Sequence, residues 1–103
     1  MADMSALLFD ACEKGLEMKV KLFLKNGADP NARTPLGLTA LMIAAGSGQP
    51  KVIPALLEKG ADINAGENGN LFTALMIALM KKKTEAARVL IEKGAAVDIR
   101  TRE

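Results

Sequence analysis

Hydrophobic and polar positions alternate in blocks that return along the chain. Leu-Thr-Ala-Leu-Met-Ile-Ala-Ala (38–45) comes back as Phe-Thr-Ala-Leu-Met-Ile-Ala-Leu (72–79). Leu-Leu-Glu-Lys-Gly (56–60) comes back as Leu-Ile-Glu-Lys-Gly (90–94), and Leu-Phe-Leu-Lys-Asn-Gly (22–27) is an earlier copy. The polar string Gly-Ala-Asp-Pro-Asn-Ala (27–32) recurs as Gly-Ala-Asp-Ile-Asn-Ala (60–65) and, degraded, as Gly-Ala-Ala-Val-Asp-Ile (94–99). Gly27, Gly60 and Gly94 lie 33 and 34 residues apart. Blocks that recur in one order at one spacing mark a repeat architecture, in which each unit is one supersecondary element.

One period reads as two short helices and a turn. Thr39 caps a helix through Ala45, because its hydroxyl accepts from an orphan backbone N–H. Gly46-Ser47-Gly48-Gln49-Pro50 breaks that helix, and a second follows over about Lys51 to Glu58. Gly60 ends the second helix, since glycine takes the left-handed conformation without a Cβ penalty. The polar segment from there to the next threonine suits a protruding turn. Helices shorter than about 12–15 residues are marginal alone in water, so each pair must stack on its neighbours. Ala44, Ala45 and Ala78 permit close approach. Leu41, Ile53, Leu56 and Leu57 fill the seam, as do their copies Leu75, Ala87, Leu90 and Ile91; Leu8, Val20, Phe23 and Leu24 take these places earlier. The fold class is all-α, a solenoid of three units at about 1–26, 27–59 and 60–93, with 94–103 a partial fourth turn or tail.

Two local departures sharpen the reading. Pro54 cannot donate, and its ring clashes with the carbonyl four residues back. The second helix of the middle unit must therefore start no earlier than about Gln49 to Lys51, placing Pro54 in its first turn. One residue is also inserted between Asn64 and Thr73 relative to Asn31 and Thr39, within Gly66-Glu67-Asn68-Gly69-Asn70. A further Thr-Pro-Leu at 34–36 has no copy one period on, so Thr39 is the helix start.

Composition narrows the chemistry. The 103 residues hold no His, Trp or Tyr, three Phe and one Cys. Without His there is no imidazole base or ligand, and one Cys makes no internal disulfide. No catalytic nucleophile is paired with a base and no phosphate loop is present, so an enzyme is not expected. A net charge of +2 gives no reason to expect nucleic acid. Apolar runs fall far short of the roughly 20 residues of a membrane span. The N-terminus lacks the basic lead of a secretory signal, which makes the cytoplasm the expected setting. No cofactor is expected. Cys12 aligns with Ala45 and reads as a small core residue.

These residues resemble the ankyrin repeat family over about 5–99. The Gly-Ala-Asp-x-Asn-Ala turn matches fully at 27–32 and 60–65, and Thr39-Ala40-Leu41-Met42 and Thr73-Ala74-Leu75-Met76 match the Thr and Leu of that family's Thr-Pro-Leu-His helix start. They depart at Pro and His; a methionine in the His place packs but does not bridge neighbouring turns. The 34-residue tetratricopeptide pattern wants Trp and Tyr, and leucine-rich repeats want a shorter period.

The resemblance implies a cupped hand that binds another protein through its protruding turns, the fingers, and the first helices, the palm. Carried onto this chain, the finger positions are Arg33, Pro35, Leu36 and Leu38, then Glu67, Asn68, Asn70, Leu71 and Phe72. The palm ends are Glu13 and Lys14, Gly46 and Ser47, then Met80 and Lys81. Leu36, Leu38, Leu71 and Phe72 are apolar in segments expected to be exposed, with Phe72 the best anchor. Lys81-Lys82-Lys83 reads as a solvated helix end. Asp10 stands where later units have Ile43 and Ile77, giving a polar outer face to the first unit. Leu79 and Met80 leave the other end less covered. The alternative is therefore a segment that self-associates weakly through its C-terminal face, or a piece of a longer array.

Overall fold

A computed structural model describes residues 4–66 and 72–97. Its helices are α1 (Met4–Lys14), α2 (Glu17–Lys25), α3 (Ala40–Gly46), α4 (Val52–Glu58), α5 (Ala74–Met80) and α6 (Thr84–Glu92). No strand forms among the described residues; a lone antiparallel bridge joins Arg33 and Thr39 at the base of a protruding turn. Helices pair as α1/α2, α3/α4 and α5/α6, and the pairs stack in register: α3 lies between α1 and α5, and α4 between α2 and α6. This is the stacked helix-pair solenoid expected from the 33–34-residue period.

The helix ends are fixed by local chemistry. Thr39 Oγ1 accepts from the Met42 N–H at 3.2 Å, and Thr73 Oγ1 accepts from the Met76 N–H at 3.4 Å. In the first of these caps the Thr39 N–H also donates to Met42 Sδ at 3.5 Å. The methionine in the histidine place thus packs, 2% exposed, and closes its own helix start. Thr34 behaves differently. Its Oγ1 accepts from the N–H groups of Leu36 and Leu38, both at 3.2 Å, and its carbonyl accepts from Gly37 at 2.8 Å. It closes a finger turn and starts no helix.

All of these helices end in the same two-bond motif. A residue in the left-handed region donates three residues back, and the next N–H donates five back: Ala28 to Phe23 at 3.0 Å, Gln49 to Ala44 at 2.9 Å, Lys83 to Ala78 at 2.8 Å. This satisfies carbonyls that the helix leaves unpaired. The left-handed residue is glycine five times, at 15, 27, 48, 60 and 94, and Lys82 (φ 60°) at the sixth. α4 begins at Val52, so Pro54 is its third residue, inside the first turn where a missing N–H costs nothing.

The core runs the length of the stack. Leu8, Leu41 and Leu75 repeat one buried position of the first helices, and Leu56 and Leu90 one of the second helices. Each such side chain contributes on the order of 2 kcal/mol by leaving water. Ala44, Ala45, Ala78, Ala86 and Ala87 are buried between helices, and Cys12 is fully buried beside them. One seam assignment is corrected: Ile91 is exposed, because the position held earlier by Leu24 and Leu57 is covered by a following pair that α5/α6 lacks among the described residues. The one-residue insertion falls largely outside the described residues.

Candidate functional site

The first helices α3 and α5 border one opening. Residues three and four apart share a helical face, so Ile43, Gly46 and Ser47 line up on α3, and Ile77, Met80 and Lys81 line up along α5 and just past its end. Between these rows runs a groove of about 330 Å³. Leu38 and Phe72, the residues just before the two capping threonines, also line it, together with Met42. The lining is apolar except for Ser47 and Lys81. At Gly46 the missing side chain lets α5 come close: a Cβ there would sit 3.1 Å from Ile77 Cγ2 and 3.6 Å from Lys81 Cδ. The same repeat position holds Glu13 in α1 and Met80 in α5.

The structure thus brings Leu38, Ser47, Phe72, Met80 and Lys81 around one groove, and it places Arg33, Pro35 and Leu36 outside its lining. Pro35 and Leu36 stand at the tip of the first finger, and Leu36 is 75% exposed. Glu67, Asn68, Asn70 and Leu71 lie outside the described residues. Arg33 does not face the groove as a free cation. Its Nη1 donates to the Gly37 carbonyl at 2.9 Å within its own finger and to the Gly66 carbonyl at 2.8 Å in the next. On α1, Lys14 pairs with Asp10 at 3.3 Å, and the Glu13 carbonyl accepts from Gln49 Nε2 at 3.0 Å. That end of the palm is polar and already engaged. Leu38 and Phe72 are half-buried; Leu38 packs against the core, and both line the groove.

Sequence reasoning missed Met42, Ile43 and Ile77 as groove residues. Their blocks recur from copy to copy, which reads as core. The signal that finds them is the spacing of Ile43 from Gly46 and of Ile77 from Met80.

Side-chain hydrogen bonds join each finger to the next. Asn31 Nδ2 donates to the Gly60 carbonyl at 2.9 Å, and its Oδ1 accepts from the Asp62 N–H at 2.8 Å. One period on, Asn64 Oδ1 accepts from the Ala96 N–H at 2.9 Å. Asparagine amides therefore link neighbouring turns. Among the described residues no group of three or more His, Cys, Asp or Glu gathers as for a metal ion, and no helix is long and apolar enough to cross a membrane. Cys12 is held from reaction by burial, which pushes its thiol from 9.0 up to about 12.

Stacked helix pairs with asparagine-linked fingers and a concave groove define a helical-repeat scaffold. Comparison with known proteins gives the family: residues 8–101 match the model of ankyrin repeats in three copies, and the chain belongs to the ankyrin repeat family. It is 39% identical over 94 residues to the human ankyrin repeat and KH domain-containing protein 1, covering 90% of this chain and 4% of that protein. It is 40% identical over 87 residues to the human transient receptor potential cation channel subfamily A member 1, covering 82% and 8%. It is 31% identical over 88 residues to dauer abnormal formation protein 25 of Caenorhabditis elegans, covering 85% and 23%. The chain therefore spans less than a quarter of each of these relatives. Ankyrin repeat domains are in general non-catalytic modules of protein–protein interaction.

Proposed function

We propose that this chain binds another protein, without catalysis, through the groove between α3 and α5 and the fingers beside it. The observation that carries this is a mostly apolar groove of about 330 Å³ between α3 and α5, lined by Leu38, Ile43, Phe72, Ile77 and Met80. A cavity of that size takes one or two apolar side chains, and burying such anchors is where interface energy concentrates. Leu38, Phe72, Met80 and the stem of Lys81 wall the groove, and Ser47 offers a hydroxyl at its floor. Pro35 and Leu36, with Glu67, Asn68, Asn70 and Leu71 of the next finger, extend the contact. The role of Arg33 is to hold two fingers together. The proposal includes a cytosolic setting and neither nucleic acid nor membrane as partner.

The test is to fill the groove. Gly46→Leu adds a side chain against Ile77, whose Cγ2 lies 3.1 Å from the new Cβ and must shift slightly; leucine is the better helix former, and helical content is measured before affinity is read. Against a partner captured with the intact chain, affinity should fall at least about tenfold, or about 1.4 kcal/mol. Circular dichroism should remain helical. Affinity unchanged by both Gly46→Leu and Phe72→Ala would remove the groove from the binding site.

A second reading has its own observation. Leu79 and Ile91 are large, apolar and exposed at the C-terminal end of the stack, which favours self-association through that face.

A further inference from the structure

The repeat provides an internal standard for each end of the stack. Leu79 occupies the position of Cys12 in α1 and Ala45 in α3, both 0% exposed, yet it is itself 57% exposed. Ile91 follows Leu24 and Leu57 and is 48% exposed where Leu24 is buried. With a following helix pair present, Cys12, Ala45 and Leu24 are buried and Leu57 is half-buried. The opposite end shows the converse. Leu7 occupies the position of Ala40 and Ala74, both buried, and is 48% exposed; Leu22 occupies that of Ala55, also buried, and is 52% exposed. With a preceding pair present, Ala40, Ala55 and Ala74 are buried and Val89, at the Leu22 position, is half-buried.

Among the described residues, each end therefore lacks the neighbour that the other end resembles. We infer that the C-terminal face of one copy, around Leu79 and Ile91, stacks on the N-terminal face of a second copy, around Leu7 and Leu22, and so continues the solenoid between molecules. This rests on the self-association reading and names the surface that receives the C-terminal face. The occupant follows from continuity: the joints between α1/α2 and α3/α4, and between α3/α4 and α5/α6, already show what covers these positions. The joint between copies differs from them in one respect. Leucines stand where the internal joints have alanine or cysteine, so the two faces cannot approach as closely. Association is accordingly weak and reversible. The contact is heterologous, and a heterologous contact that does not close into a ring gives open chains.

Sedimentation of the whole chain in a concentration series reaching about 1 mM tests this. The wild-type protein should grow in mass with concentration beyond the dimer. Leu79→Glu and Leu7→Glu should each weaken association at least about tenfold. Mixed together, the two variants should form a 1:1 dimer and stop, because one supplies the intact head and the other the intact tail. Both sites are on the surface, and circular dichroism checks that each variant remains helical; Ile91→Glu and Leu22→Glu probe the same faces should either unfold. A wild-type chain that stays monomeric throughout overturns self-association altogether. A wild-type dimer lost in Leu79→Glu and unaffected by Leu7→Glu leaves self-association standing and overturns the head-to-tail arrangement in favour of like faces pairing.

Discussion

At the scale of single residues, the sixth helix ending isolates one cost. Gly15 and Gly48 answer two demands: φ of 72° and 69°, and close packing, with the side chain of Gln49 lying over Gly15 and Lys83 Cδ only 2.9 Å from where a Cβ of Gly48 would stand. Lys82 occupies the same repeat position and meets only the first demand. A side chain in the left-handed region costs about 1–2 kcal/mol, partly offset by the greater freedom glycine gives the unfolded chain. Lys82→Gly should therefore stabilise the fold by about 0.5–1 kcal/mol, read as a higher urea midpoint with an unchanged slope. Cys12 gives a second prediction at this scale. Burial raises its native value to about 12, so the unfolded chain loses this proton first as pH rises. The contribution is fully present below about pH 9 and is lost between there and about pH 12. Cys12→Ala should flatten the fall in stability over that window relative to wild type, measured by denaturation at each pH.

At the scale of elements, much of the fold was legible because its signals are local. A threonine before a run of small and apolar residues, a glycine after it and a proline in the next first turn each act within four or five residues. Helix starts and stops follow directly from them. The joints between turns were less legible, because the partner lies a full period away. The histidine of the family is replaced by Met42 and Met76, which suggested that neighbouring turns would go without a bridge. The bridge is carried by Asn31, Asn64 and Arg33, whose acceptors and donors are backbone groups that leave no mark in the sequence. For the same reason Arg33 reads from the sequence as a partner contact, and its bond to the next finger leaves no sign there. Asn31→Ala removes both a donor to Gly60 and an acceptor from Asp62 at an exposed site where water replaces them in part. It should cost about 1–2 kcal/mol, on the net worth of two hydrogen bonds. Arg33→Ala in the same background should add its own cost. The check is equilibrium denaturation of the two single variants and the double; a double variant no worse than the worse single one would show that the two staples are redundant.

At the scale of the whole molecule, the stack orders its own stability. In a solenoid, stability is approximately the sum of what each unit contributes and what each joint adds. α3 packs on α1, α4, α5 and α6, whereas α1 packs chiefly on α2 and α3. The middle pair has a joint on both sides and the outer pairs have one each. The exposed Leu7 and Leu22 at one end and Leu79 and Ile91 at the other mark where a joint is missing. Opening an outer pair breaks one joint, while opening the middle pair breaks two, so the middle pair opens only with the whole. Native-state hydrogen exchange should accordingly rank backbone N–H protection highest in α3 and α4 and lower in α2 and α6, with the outer helices exchanging by local opening insensitive to mild denaturant. Lys81 and Met80 on the third pair would then open with α5 and α6, so the groove assembles fully only when the second joint is closed. A partner in the groove contacts both sides of that joint and should raise protection in α5 and α6 more than in α1 and α2. Equal protection across all three pairs would mean that the joints are strong enough to make the stack a single cooperative unit, and the groove would then be preformed in every folded molecule.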